Sequence, residues 1–282
     1  MKSQKLINDF ETEKLVYLMF QSAKRSFDAV ENALPNVAKL IDSTIEVIQK
    51  GGKVFYIGAG TSGRIGVLDA SEIYPTFGEE NLVNAIIAGG KEAIFKAKEY
   101  AEDSSDSGRK DLQEAGFTQS DIAIGISASG RTPYVLGALK YAHSIGAKTG
   151  LIACRKVNYD FIDLVVVADT GDEFVRGSTR LNAGTAEKII LNMISTISMI
   201  KTGRTYGDLM VAVVPSNKKL IDRATKIVSY LTGAPYEVAR KVTEETKDAR
   251  IAALMLKKGL SKKEAQDLLK ERGFNFPKAY EG

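Results

Sequence analysis

The chain has 282 residues, 44% of them hydrophobic and 26% charged, with a formal net charge of +4. That length buries a sizeable core, as one large domain or a domain with an appendage, and no apolar run is long enough to cross a membrane. One cysteine, Cys154, and one histidine, His143, exclude an internal disulfide framework and a His- or Cys-rich zinc site. A Ser-His-Asp triad would have to depend on His143, so acid–base chemistry falls mainly to carboxylates, Lys or Tyr. Lysines spread over helix faces rather than a basic stripe interleaved with aromatics, and a nucleic-acid partner is not expected. The opening Met1-Lys2-Ser3-Gln4 lacks the form of a signal peptide; with the lone cysteine it points to a reducing cytoplasm.

Apolar residues recur at three–four spacing from about Glu11 to Leu34, predicting a helix. Pro35 suits the first turn of a second helix that ends at Gly51-Gly52. Val54 to Ile57 reads as a buried strand. It breaks into Gly58-Ala59-Gly60-Thr61-Ser62-Gly63, and a helix is expected from Ser62 to Ser71. Strand, glycine-rich loop and helix make a phosphate cradle: loop N–H groups and the helix N-terminus face the anion. The same string matches the dinucleotide fingerprint. The acid that should close the next strand is missing, because Asn84 to Ala88 runs into Gly89-Gly90.

Glu92 to Glu102 is predicted helical, with Ala93, Phe95, Ala97 and Ala101 as its apolar residues, and Asp111 to Ala115 a short helix. A third strand, Asp121 to Ile126, enters Ser127-Ala128-Ser129-Gly130-Arg131-Thr132, and a helix from Pro133 to Ile145 follows. Strands are predicted at Thr149 to Ala153 and Leu164 to Val167. Gly177 to Thr185 reads as a loop, Ala186 to Ile200 as a buried helix. Four amphipathic helices follow: Leu220 to Leu231, Pro235 to Thr246, Ala249 to Lys257 and Lys262 to Lys270. Strand–helix alternation predicts an α/β fold, a doubly wound parallel sheet of five strands covered on both faces. The expected division is an N-terminal helical segment at 1–50, an α/β domain that holds a phosphorylated small molecule at 51–215 and a helical C-terminal subdomain at 216–282. The hydroxyl loops after strands one and three should converge at the switch in strand order.

At these loops the chain closely resembles the N-acetylmuramic acid 6-phosphate etherase family of sugar isomerase (SIS) domains, related to the glucokinase regulatory protein. The resemblance rests on Gly58 to Glu72, Ile126 to Val135 and Gly177 to Ala186, and extends from about residue 28 to residue 274. It implies a cytoplasmic homodimer with a flavodoxin-like sheet that needs no metal or organic cofactor, and a sugar-phosphate substrate whose D-lactyl ether is eliminated. Glu72 and Glu102 fall on the family's two glutamates, one as acid to the leaving lactate and the other as base at C2. Thr61, Ser62, Gly63, Ser127, Ser129, Gly130 and Thr132 would hold phosphate or sugar hydroxyls, with Arg180 and Lys188 adding charge. Arg155 and Lys156 follow Cys154 where the family tends to carry Asn-x-x-Ser, and Asn182 and Glu187 stand where Lys and Gln are typical. A non-catalytic sugar-phosphate-binding regulator, or an isomerase using the same base, stays open as an alternative.

Overall fold

Five strands supply the sheet: β1 (Val54–Gly58), β2 (Val83–Ile87), β3 (Ile122–Ser127), β4 (Lys148–Ala153) and β5 (Leu164–Val167), in the order β2-β1-β3-β4-β5. Every residue of β1 and β3 is buried, because helices cover both faces of a parallel sheet and leave no solvated side. β3 runs parallel to β4, with Ile122 opposite Lys148 and Ser127 opposite Ala153, and β4 parallel to β5. This is the expected flavodoxin-like order, and the strand order reverses between β1 and β3. The computed structural model describes residues 6–98 and 100–282. Residues 1–5, with the opening read above for a leader, lie outside these, as does residue 99 within the helix expected at Glu92 to Glu102.

The chain divides into two units. The first comprises residues up to Leu40, Phe55–Val67 and Ala85–Asn192. It holds the sheet residues from Phe55 and Ala85 onward, with a core of Phe55, Ile57, Leu112, Tyr134, Leu139 and Leu151 among others. The second comprises Ile41–Val54, Leu68–Asn84 and Met193–Gly282. Its core gathers Val211, Val228, Ala252, Leu254, Leu269 and Phe276. Within it the rings of Tyr206, Phe276 and Tyr280 pack with centroids 5.2–5.9 Å apart, and Arg204 Nε donates to Glu79 Oε1 at 2.9 Å.

The N-terminal residues form one helix, α1 (Thr12–Gln49), with Pro35 inside it, rather than two. The buried stripe Val30, Ala33, Val37, Leu40 and Ile41 keeps helical phase through the proline. Pro35 sits on the exposed face, so the loss of one internal hydrogen bond does not outweigh burial along the whole stripe.

α2 (Gly60–Ser71) and α3 (Ile73–Phe77) follow β1. The helix expected at Glu92 to Glu102 is only one turn, α4 (Glu92–Phe95), followed by a 3-10 turn at Ala101–Asp103. Phe95, read as part of an apolar face, is 92% exposed, and the chain leaves helical geometry at Lys96 (φ −132°, ψ 130°).

α5 (Ser105–Glu114) is longer than expected because Ser104 caps it, its side chain accepting from Ser107 N at 3.1 Å. α6 (Pro133–Ser144) matches its expected span. α7 (Asn182–Lys201) begins four residues earlier than the apolar pattern indicated. The C-terminal helices are α8 (Lys218–Thr232), α9 (Tyr236–Thr246), α10 (Ala249–Lys258) and α11 (Lys262–Glu271), plus an unforeseen α12 (Phe276–Glu281).

Candidate functional site

The Gly58–Gly63 string is shaped by close backbone approach. A Cβ on Gly58 would meet the backbone of Gly63 at 2.6 Å, and one on Gly63 would meet Ile87 at 2.6 Å. Only glycine lets the first turn of α2 seat against the strand tips. Ala59 precedes α2, and its methyl cannot accept a bond from the first-turn N–H groups, which have no partner inside the helix. α6 is comparable. Its N-cap, Thr132, makes no side-chain capping bond, and its hydroxyl instead pairs with Ser127 Oγ at 2.8 Å. By contrast α5, α8, α10, α11 and α12 are capped by Ser104, Asn217, Asp248, Ser261 and Asn275. The short α3 and α4, and α9, also lack a side-chain capping bond; what sets α2 and α6 apart is that they follow the two switch-point strands, where free first-turn N–H groups can face an anion.

The loop after β3 is held from both sides. Gly130 N donates to Ser127 O at 2.8 Å and Cys154 N to Ala128 O at 3.0 Å. Tyr159 Oη donates to Gly130 O at 3.0 Å. Ser129 Oγ lies 3.4 Å from Ser127 Oγ and accepts from Arg131 N at 3.1 Å. Ser127, Ser129 and Thr132 therefore form one hydroxyl cluster, with Ser127 buried and Ser129 exposed.

The first turns of α7 join this loop to the glycine string. Ala183 packs with Ala128 and Cys154. A Cβ on Gly184 would meet the Thr61 methyl at 3.2 Å. Ser62 Oγ donates to Glu187 Oε1 at 2.9 Å. Glu187 is 1% exposed, and burial, with Glu173 nearby, pushes its carboxyl up to about 8 against the lowering effect of the Ser62 bond. Burial likewise pushes the Cys154 thiol far up, with Glu187 adding to it.

Unlike α2 and α6, α7 has its N-terminus filled from within the chain. Glu173 is buried, and its carboxylate accepts from Asn182 N at 2.7 Å and Ala183 N at 3.0 Å. Glu173→Ala is expected to cost about 2 kcal/mol, as for charge-assisted bonds lost in a buried place. Thermal unfolding would show this as a midpoint lowered by several degrees; an unchanged midpoint would deny the cap its role.

Of the two glutamates, Glu102 lines a cleft of about 440 Å³ with Gly60, Arg64, Lys98 and Tyr100. Tyr100 holds φ at +66°, a strained value for a residue with a side chain. Arg64 Nε donates to Ile94 O at 2.9 Å, and Lys98 pairs with Glu92 at 2.7 Å. Glu72 is exposed at the N-cap of α3. Arg180 is exposed just before α7. Lys188 turns along its own helix, Nζ donating to Asn192 Oδ1 at 2.6 Å. Among the described residues, no group of three or more His, Cys, Asp or Glu side chains is placed to hold a metal ion. Glu173 and Tyr159 escaped the sequence reading, because long loop connections leave no periodicity to read.

Residues 36–143 match the family described as glucokinase regulatory protein N-terminal SIS domain. The N-acetylmuramic acid 6-phosphate etherase of Clostridium beijerinckii is 49% identical over 276 residues, spanning 95% of this chain and 90% of that protein. That of Clostridium botulinum strain Okra is 44% identical over 278 residues, spanning 97% and 92%. A solved phosphoheptose isomerase from Francisella tularensis shares the fold, with a TM-score of 0.53 at 21% identity over 67% of this chain and 98% of that one.

Proposed function

The chain belongs to the N-acetylmuramic acid 6-phosphate etherase family, and from that premise we propose that it cleaves the D-lactyl ether of N-acetylmuramic acid 6-phosphate. The products are N-acetylglucosamine 6-phosphate and D-lactate. The observation that carries this reading to the residues is the meeting of two uncapped helix starts and three hydroxyls around the β1/β3 switch point.

The phosphate sits against Thr61, Ser62 and Gly63 at the start of α2 and against Ser127, Ser129, Gly130 and Thr132 at the start of α6. Arg180 and Lys188 add positive charge. Glu102 takes the proton from C2 of the open-chain aldehyde, where the carbonyl stabilises the resulting carbanion. The C3–oxygen bond then breaks, and Glu72 protonates the departing lactyl oxygen, since an alkoxide is a poor leaving group. Water adds at C3, a proton returns to C2, and the net change is hydrolysis of the ether.

The reaction belongs to a cytoplasmic protein, a placement supported by its one thiol being buried and unpaired with another cysteine. Among the described residues no helix is long and apolar enough to cross a membrane. A homodimer is supported by Val16, Tyr17, Phe20 and Phe27, which are exposed on α1 and need an apolar cover. The test is D-lactate release from N-acetylmuramic acid 6-phosphate in deuterium oxide. Lactate with deuterium at C2 of the product is expected. Tight sugar-phosphate binding without lactate or exchange would mean a regulator. Exchange in a hexose 6-phosphate that carries no ether would mean an isomerase.

A further inference from the structure

Ser62, in the first turn of α2, and Glu187 of α7 form a buried pair. Ser62 Oγ donates to Glu187 Oε1 at 2.9 Å. The second carboxyl oxygen, Oε2, is buried and has no hydrogen-bond partner. An ionised carboxylate left half-bonded in such a place is costly, and a neutral carboxylic acid costs less. We propose that Glu187 is a positioning residue that gates phosphate affinity through its own proton: neutral, it leaves the loop receptive to a phosphate dianion, and ionised, it opposes that dianion and binds the Ser62 hydroxyl away from it. The proposal rests on the reading that Ser62 contacts phosphate.

The surroundings supply little to offset a negative charge on Glu187. Glu173, in the loop before α7, is itself acidic and held by the helix N-terminus. Cys154 at the end of β4 is a buried thiol held protonated. Arg155 pairs with Asp169 at 3.0 Å, and Arg64 and Lys188 direct their hydrogen bonds to Ile94 O and Asn192 rather than to Glu187. Burial and Glu173 raise the carboxyl to about 8, so Glu187 is protonated at neutral pH and ionises above it. A phosphate monoester is already a dianion there, its second ionisation lying near ~6. Loss of affinity above neutrality then belongs to the protein and not to the ligand. If only the protonated form binds well, the competent fraction at about pH 9 is roughly one-tenth, and the apparent Kd rises about tenfold.

The experiment is calorimetric titration of the full chain with N-acetylglucosamine 6-phosphate from pH 6.5 to pH 9.5 (roughly the window the carboxyl spans), beside Glu187→Gln. The parent Kd should rise about tenfold between roughly pH 7 and pH 9, while Glu187→Gln shows a flat profile. KM for the etherase substrate should follow the same pattern. Glu187→Leu, which fills the buried place without a titrating group, should also be flat, and serves if the glutamine amide disturbs packing. An equal rise in the variants, or no rise in the parent, overturns the gate while leaving the phosphate site standing. No binding of the sugar phosphate by the parent at any pH overturns the site reading and the gate together.

Discussion

Glu102→Gln is expected to lower D-lactate release by about 10²–10⁴-fold, the range for loss of a positioned general base, with substrate KM little changed. The side chain lines the cleft beside the start of α2, while the groups assigned to the phosphate lie at helix starts and the hydroxyl loop. Glutamine keeps the size and polarity of the side chain and removes only its ability to take a proton. Turnover in deuterium oxide resolves the step. Glu102→Gln should lose deuterium uptake at C2 together with lactate. Glu72→Gln should lose lactate while C2 exchange persists, because proton removal comes before departure of the lactyl group. The reverse pattern would exchange the two roles. Full activity in Glu102→Gln would remove it from the chemistry.

The second large effect is expected from Gly58→Ala. The added Cβ meets only main chain, at 2.6 Å from Gly63 N, 2.7 Å from Gly63 Cα and 2.8 Å from Ser62 C. No side chain can swing aside to relieve this, so the strand tip and the first turn of α2 must part. Overpacking of that kind costs about 1–3 kcal/mol in stability. The larger consequence is functional, because the displaced turn carries Ser62. A misplacement of reactive geometry by roughly 1 Å costs about 10²-fold in rate, and kcat/KM should fall by about that factor. Gly66→Ala is the comparison. Its Cβ meets Ile126 Cδ1 at 3.2 Å, which can swing aside, and Tyr56 Cβ at 3.3 Å, a milder approach than those at Gly58, and its loss should be much smaller. Equal activity in Gly58→Ala and the parent would mean that this turn does not hold substrate.

The strands were legible because β1 and β3 are apolar along their length and buried on both faces. The two hydroxyl loops were legible because Gly, Ser and Thr at strand ends have a direct meaning in such sheets. Helix boundaries were less so. Pro35 looked like a first-turn residue, yet the apolar stripe of α1 continues through it in phase. Ala93, Phe95, Ala97 and Ala101 looked like one face of a helix, but the chain turns extended at Lys96 and left-handed at Tyr100. Glu187 was legible only as an unusual residue for its motif. Beside Lys188, a glutamate in a helix reads as solvated; its burial against Ser62 depends on how α7 meets α2, which no local pattern encodes.

The Glu173 carboxylate at the start of α7 fixes a valence. A helix start open to solvent takes whatever anion the medium offers, at an occupancy that follows concentration. Here the anion is part of the chain, and its local concentration is that of a tethered group, on the order of millimolar or more. Free phosphate therefore competes against a partner that dilution cannot remove. One of the three helix starts is permanently spoken for, and in the proposed phosphate reading the other two remain to share a single incoming anion.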